Sequence, residues 1–178
     1  MRRDRGNRRT HGLRSAGFTL IELMVTVAVI AILSAVAVPA MTGLINHSRI
    51  SGLTGEVVSA IQLARSEAVR RNARVTLCPS TDGTTCANST DWTGWIVLAR
   101  DNTAATDHVM LAETAPGSTQ VSGPAGGIVF RPSGLLVAQS QLTVCVPTTN
   151  PAANQRVVTV ALSGSPITER ANGGGQCP

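Results

Sequence analysis

Residues 18–41, "FTLIELMVTVAVIAILSAVAVPAM", form an apolar run of 24 residues in which Glu22 is the only ionisable side chain. A run of this length and apolarity predicts a transmembrane helix, because about 20 apolar residues span the hydrocarbon core of a bilayer. An unpaired charge in that core costs roughly 2.5 to 3.5 kcal/mol on insertion scales. Glu22 therefore either reaches water at the membrane surface or has a partner and a function. The 17 residues before the run, "MRRDRGNRRTHGLRSAG", carry six arginines and Asp4. Such a bias orients a span with its start in the cytoplasm and the remainder of the chain on the far side. An ordinary secretory signal fits poorly. Ala35 and Ala37 mimic an A-x-A cleavage site, but the apolar stretch is long for such a signal, and the small residues Ala16 and Gly17 lie before it.

The stretch "GFTLIELMVTVAVIAILSAVAVP" resembles the leader of type IV prepilins and type II secretion pseudopilins: a short basic segment ending in Gly, then Phe, then Glu as the fifth residue of the mature chain. The resemblance implies cleavage by a prepilin peptidase between Gly17 and Phe18, N-methylation of Phe18, and an assembly role for Glu22. Cleavage creates an ammonium at Phe18, and electrostatics then suggest a partner for the carboxylate, the N-terminus of a neighbouring subunit. Pro39, which lacks an N–H and crowds the preceding turn, is expected to kink or break the helix.

Without residues 1–17 the charge largely disappears. The formal net charge of +5 comes from 15 basic residues, all Arg, against 10 acids; with the six arginines and Asp4 of the leader set aside, nine of each remain. The charge balance thus gives no reason to infer nucleic-acid binding. Aromatic side chains are limited to Phe18, Trp92, Trp95 and Phe130. The two tryptophans read as packing anchors rather than stacking platforms, and the core must be built from Val, Leu, Ile and Ala.

Cys78, Cys86, Cys145 and Cys177 all come after the apolar run, in the compartment where disulfides form. Four cysteines allow three pairings. The favoured pairs are Cys78 with Cys86, closing a short loop, and Cys145 with Cys177, tying down a Gly-rich tail. No C-x-x-C spacing occurs, and only His47 and His108 lie beyond the leader, so no metal and no cofactor are expected.

Beyond Pro39, Gly43, Gly52 and Gly55 weaken helix propensity. Yet Leu53, Val57, Ala60, Ile61, Ala64 and Ala68 recur at spacings of three and four, which predicts an amphipathic helix to about Asn72. Its opposite face carries Glu56, Gln62, Arg65, Glu67, Arg70 and Arg71, and "RSEAVRRNAR" reads as a solvated helix end whose cations complement the dipole. From Arg74 the period changes. "VTLCPS", "GWIVLAR", "HVMLAE", "GIVFRP", "LTVCVP" and "RVVTVALSG" are short β-rich runs between turn residues, with "ARDNTAATDH" as a hairpin loop. The fold class is α+β: a long N-terminal helix followed by a mostly antiparallel β-sheet or sandwich. The expected organisation is a leader at 1–17, a transmembrane and assembly helix at 18–41, an amphipathic stalk at 42–74 and a periplasmic β-domain at 75–178.

The order "AIQLARSEAVRRN", "VTLCPS", "WTGWIV" with Asp101, and "IVFRPSG" is similar to the GspH/FimT group of minor pilins and pseudopilins. That resemblance implies a two-sheet β-domain on a long helix, inner-membrane insertion, and assembly into a type II secretion pseudopilus or a type IV pilus. The implied partners are the prepilin peptidase, other major and minor pilins or pseudopilins, and the inner-membrane assembly platform. An alternative is a DNA receptor in natural transformation. Some members of the group bind DNA through a C-terminal G-R-x-R motif, but here "LSGSPITER" has Ser165 and Ile167 at the arginine positions and only Arg170 nearby. This departure argues against nucleic acid as a partner. G-x-S-x-G, H-E-x-x-H and P-loop patterns do not occur, and the chain is read as a non-enzyme. Asp82, Asp91, Asp101 and Asp107 lie in Gly-, Thr- and Asn-rich loops; they read as turn formers rather than a calcium site.

Overall fold

The computed structural model describes residues 17–178, so residues 1–16 of the expected leader lie outside the described residues. Helix α1 (Leu20–Arg71) is followed by eight strands: β1 (Val75–Pro79), β2 (Gly94–Asp101), β3 (Thr106–Thr114), β4 (Gln120–Ser122), β5 (Ile128–Phe130), β6 (Ser140–Cys145), β7 (Gln155–Val160) and β8 (Pro166–Ala171). The chain divides into two compact units after Pro39.

In the first unit, α1 is long and apolar enough to cross a membrane, and none of its apolar window is buried by the protein itself. Its hydroxyls are satisfied within the helix: Thr26 Oγ1 donates to the Leu23 carbonyl at 2.8 Å and Ser34 Oγ to the Ile30 carbonyl at 2.7 Å. This is how an apolar medium tolerates them. Of the kink or break expected at Pro39, the break is absent, since α1 continues through it. Proline fixes φ near the helical value and removes a single backbone donor, so a long helix can continue past that loss.

In the second unit, α1 buries Ile50, Leu53, Val57, Ala60, Ile61, Ala64 and Ala68, the predicted stripe extended by one turn. Burying each Leu, Ile or Val there contributes about 1.5 to 3 kcal/mol, enough to outweigh the glycine penalties. Gly43 has a positive reason to be glycine: a Cβ there would stand 2.6 Å from Asn150 Oδ1. The helix ends in a Schellman motif. Asn72 adopts a left-handed φ of 48°, its N–H donates to the Val69 carbonyl, and the Ala73 N–H donates to the Ala68 carbonyl.

Two four-stranded antiparallel sheets pack with this half of α1, in the orders β3-β2-β1-β5 and β4-β6-β7-β8. The chain changes sheet at β4, returns at β5 to pair with β1, and changes again at β6. The hairpin predicted around "ARDNTAATDH" joins β2 to β3, with Ala105 at φ 52°. One core takes Val75, Leu77, Trp95, Val97 and Phe130 from the first sheet and Leu142, Val144, Val158 and Val160 from the second. Glu67, expected on the solvated face, is instead buried.

Candidate functional site

The first turn of α1 places Glu22 in a specific electrostatic setting. Thr19 precedes the helix as its cap, and the Glu22 N–H donates to Thr19 Oγ1 at 3.3 Å. Threonine followed three residues later by glutamate is the spacing of a capping box, and a carboxylate in the first turn faces the positive end of the helix dipole. This feature was readable as T-x-x-E at residues 19–22 but is masked in the sequence by the apolar run. Among the described residues the Glu22 carboxylate accepts no hydrogen bond and meets no cation. Phe18 is 83% exposed, and Gly17, also exposed, lies outside the helix next to it. The residues expected at the processing and assembly site thus lie together at one exposed helix end.

The domain's other polar features are structural in their geometry. Disulfides join Cys78 to Cys86 and Cys145 to Cys177, with Cα separations of 5.6 Å in each. Asp82 accepts from the Thr84 and Thr85 N–H groups and the Thr85 hydroxyl, which hold its carboxyl well below the usual range. Asp101 accepts from the Ala104 and Thr103 N–H groups in the β2–β3 turn, and its carboxyl is likewise held low. Asp91 accepts from the Thr93 hydroxyl, and Asp107 lies 3.5 Å from Arg100. Among the described residues no three His, Cys, Asp or Glu side chains group around a common point. Trp92 and Trp95 are each 1% exposed, so neither offers a ring face to a ligand.

The arginine stretch at the end of α1 is organised around Glu67. Arg70 donates to both its carboxylate oxygens, at 3.0 and 2.6 Å, and Arg71 Nε donates at 2.7 Å. The Arg70 and Arg71 bonds bring the Glu67 pKa down to about 2, against the opposing effect of burial. Two residues have roles that sequence reasoning missed. Asn154, 1% exposed, donates from Nδ2 to the Val146 and Gln176 carbonyls, both at 3.1 Å, and accepts the Gly173 N–H at 2.8 Å. Arg156, 4% exposed on the inward face of β7, donates to the Ala153 and Gln155 carbonyls, and burial, followed by the neighbouring Arg170, lowers its pKa.

Against this geometry, the family described as "Type II transport protein GspH" matches residues 53–165, from the buried stripe of α1 to the β7–β8 turn. The chain belongs to the GspH family. A second match, the "Prokaryotic N-terminal methylation motif", covers residues 13–38 and so includes Gly17, Phe18 and Glu22. A GspH-family chain carrying this motif is a minor pilin-type subunit of a type II secretion system or of a type IV pilus. The type IV minor pilin FimU of Pseudomonas aeruginosa shares the fold, at TM-score 0.54 and 17% identity over 69% of this chain and 90% of that one. The minor pseudopilin EpsH of the Vibrio cholerae type 2 secretion system matches at TM-score 0.49 and 13% identity, over 71% of this chain and 98% of that one. Family and fold are those of structural pilin subunits.

Proposed function

We propose that this GspH-family chain is inserted in the inner membrane with its start in the cytoplasm, is cut by a prepilin peptidase between Gly17 and Phe18, and is methylated on the Phe18 amine. The subunit then enters a periplasmic or extracellular filament together with other pilins, through the assembly platform, and catalyses no reaction of its own. Glu22 carries this proposal: it is the lone ionisable group of the apolar run 18–41, one turn from the amine that cleavage would create, and its carboxylate has no partner among the described residues. Pairing it with the N-terminal ammonium of a neighbouring subunit removes an unpaired charge from an apolar bundle and fixes the axial register of docking. The Thr19 cap starts the helix at Leu20 and so sets Glu22 in its first turn, where a neighbour's N-terminus can meet its carboxylate. Mass spectrometry of the N-terminal peptide from protein purified out of its native membrane tests the processing. A peptide starting at methylated Phe18 is expected, whereas a start at Met1 or a cut after Ala37 refutes it.

An alternative function, DNA capture, has less support. Arg170 is exposed on β8, but Ser165 and Ile167 supply no cation for phosphate, and both tryptophans are enclosed. A gel shift with the purified chain is expected to show no retardation at physiological salt.

A further inference from the structure

β8 is the free edge of the second sheet. In the β7–β8 hairpin the Ala161 N–H bonds the Ser165 carbonyl, and the alternation this sets makes Ile167 and Glu169 pair with β7. Thr168 and Arg170 therefore turn their N–H and C=O groups outward, and among the described residues no other backbone group takes them up. Beside the start of this edge lies a groove of about 810 Å³ lined by Val58, Gln62, Arg65, Val69 and Arg70 of α1 and by Pro166. Its aliphatic floor is open, with Val69 54% exposed.

The groove and its edge are cationic. Arg65 makes no side-chain hydrogen bond or ion pair among the described residues, yet its stem is laid across Gly134 and Gly164, where a Cβ on Gly164 would stand 3.0 Å from Arg65 Cδ. Arg70 shares Glu67 with Arg71 and keeps 63% of its side chain exposed. Arg170 is exposed on β8 beside buried Arg156, whereas Glu169, the acid of that strand, alternates to the other face.

We propose that β8 is the docking edge for an extended acidic segment of a partner protein, which adds a further strand to the second sheet and sets its carboxylates against Arg65, Arg70 and Arg170. A free edge supplies main-chain bonds in register, a groove beside it takes alternate side chains, and the cations select the charge. Nothing here depends on Glu22, so failure of this docking leaves the assembly role of Glu22 untouched.

The test uses the full chain in detergent micelles and a fluorescein-labelled peptide alternating Glu and Val, read by fluorescence anisotropy. Saturable binding is expected, weakened at least about tenfold when the peptide carries Lys for Glu, or when its alternate amides are N-methylated so that it cannot pair as a strand. Thr168→Pro removes one outward N–H at an edge position where proline is tolerated, and Arg65→Gln removes one cation; each is expected to weaken binding by roughly fivefold or more. If Thr168→Pro disturbs folding, the N-methylated peptide decides on the unaltered protein. Equal binding of the Lys peptide, indifference to N-methylation, equal binding of a short single-stranded oligonucleotide, or dimers of this chain that Thr168→Pro abolishes would each overturn the proposal.

Discussion

Asn154 and the Cys145–Cys177 disulfide hold the same target, the tail at residues 172–178, and their contributions to stability are therefore coupled. Replacing Asn154 by Ala deletes hydrogen bonds to Val146, Gln176 and Gly173 inside a site that is 1% exposed. At about 1 kcal/mol net for each bond, the expected loss is roughly 2 to 3 kcal/mol. The disulfide spans a sequence separation of 32. The chain-entropy expression for a loop of that size gives about 3.7 kcal/mol at 25 °C for replacing both cysteines by Ala. Once the tail is released, the bonds from Asn154 to Gly173 and Gln176 are already lost and only the one to Val146 remains. In the Cys145→Ala, Cys177→Ala background, Asn154→Ala should then cost only about 1 kcal/mol, a coupling of roughly 1 to 2 kcal/mol. Urea unfolding of the full chain in micelles, followed by fluorescence of the buried Trp92 and Trp95, measures all four corners of the cycle. Losses that simply add, to within about 0.5 kcal/mol, would refute the shared-tail account.

Glu22→Ala should leave cleavage after Gly17 largely intact while sharply reducing incorporation into sheared filaments, because it removes the docking charge and not the processing site; wild-type incorporation by immunoblot contradicts this. Glu67→Gln should destabilise the domain by about 1 kcal/mol at pH 7, a value reduced for the exposure of Arg70. The Glu67 pKa falls from 4.5 to about 2 on folding, so its contribution is complete above pH 4.5 and is lost as pH falls towards 2; unfolding midpoints of the two proteins should converge over that window. Glu113 has the opposite sign, since burial and then Glu56 raise its pKa in the folded state, outweighing Trp95. Glu113→Gln should therefore raise the Tm at pH 7, with the gain shrinking as pH falls through the raised folded pKa and gone below the ordinary value of 4.5. Gly127→Ala should lower the Tm by several degrees, because φ is +75° there and a Cβ would stand 2.6 Å from the Leu77 carbonyl oxygen.

The strands that could be read from the sequence are those that carry an apolar run. β1, β2, β6 and β7 are rich in Val, Ile and Leu because they lie inside the sheets, the edge strands β3 and β5 carry "HVMLA" and "IVF", and all six coincide with the predicted runs. β4 and β8 gave no such pattern: one is three residues long, and the other, "PITERA", is an edge strand that begins with proline and stays polar because solvent reaches it. The spacing of Glu67 to Arg70 and Arg71, three and four residues, already allows both ion pairs on one helix; its burial depends on packing and left no mark in the sequence. Asn154 carried no sequence pattern, since its partners at Val146, Gly173 and Gln176 converge only after β6, β7 and the tail are in place.

The N-terminal segment was determined almost entirely by the sequence, because hydrophobicity over consecutive residues and one charge at a fixed offset are local properties that need no folded context. The amphipathic half of α1 was likewise written in its period. The change of sheet at β4 and β5, the free edge at β8, the burial of Glu67 and the anchoring of the tail were decided by tertiary structure. Each depends on how segments far apart in the chain pack together, and short polar segments acquire their roles only from the surfaces against which they pack.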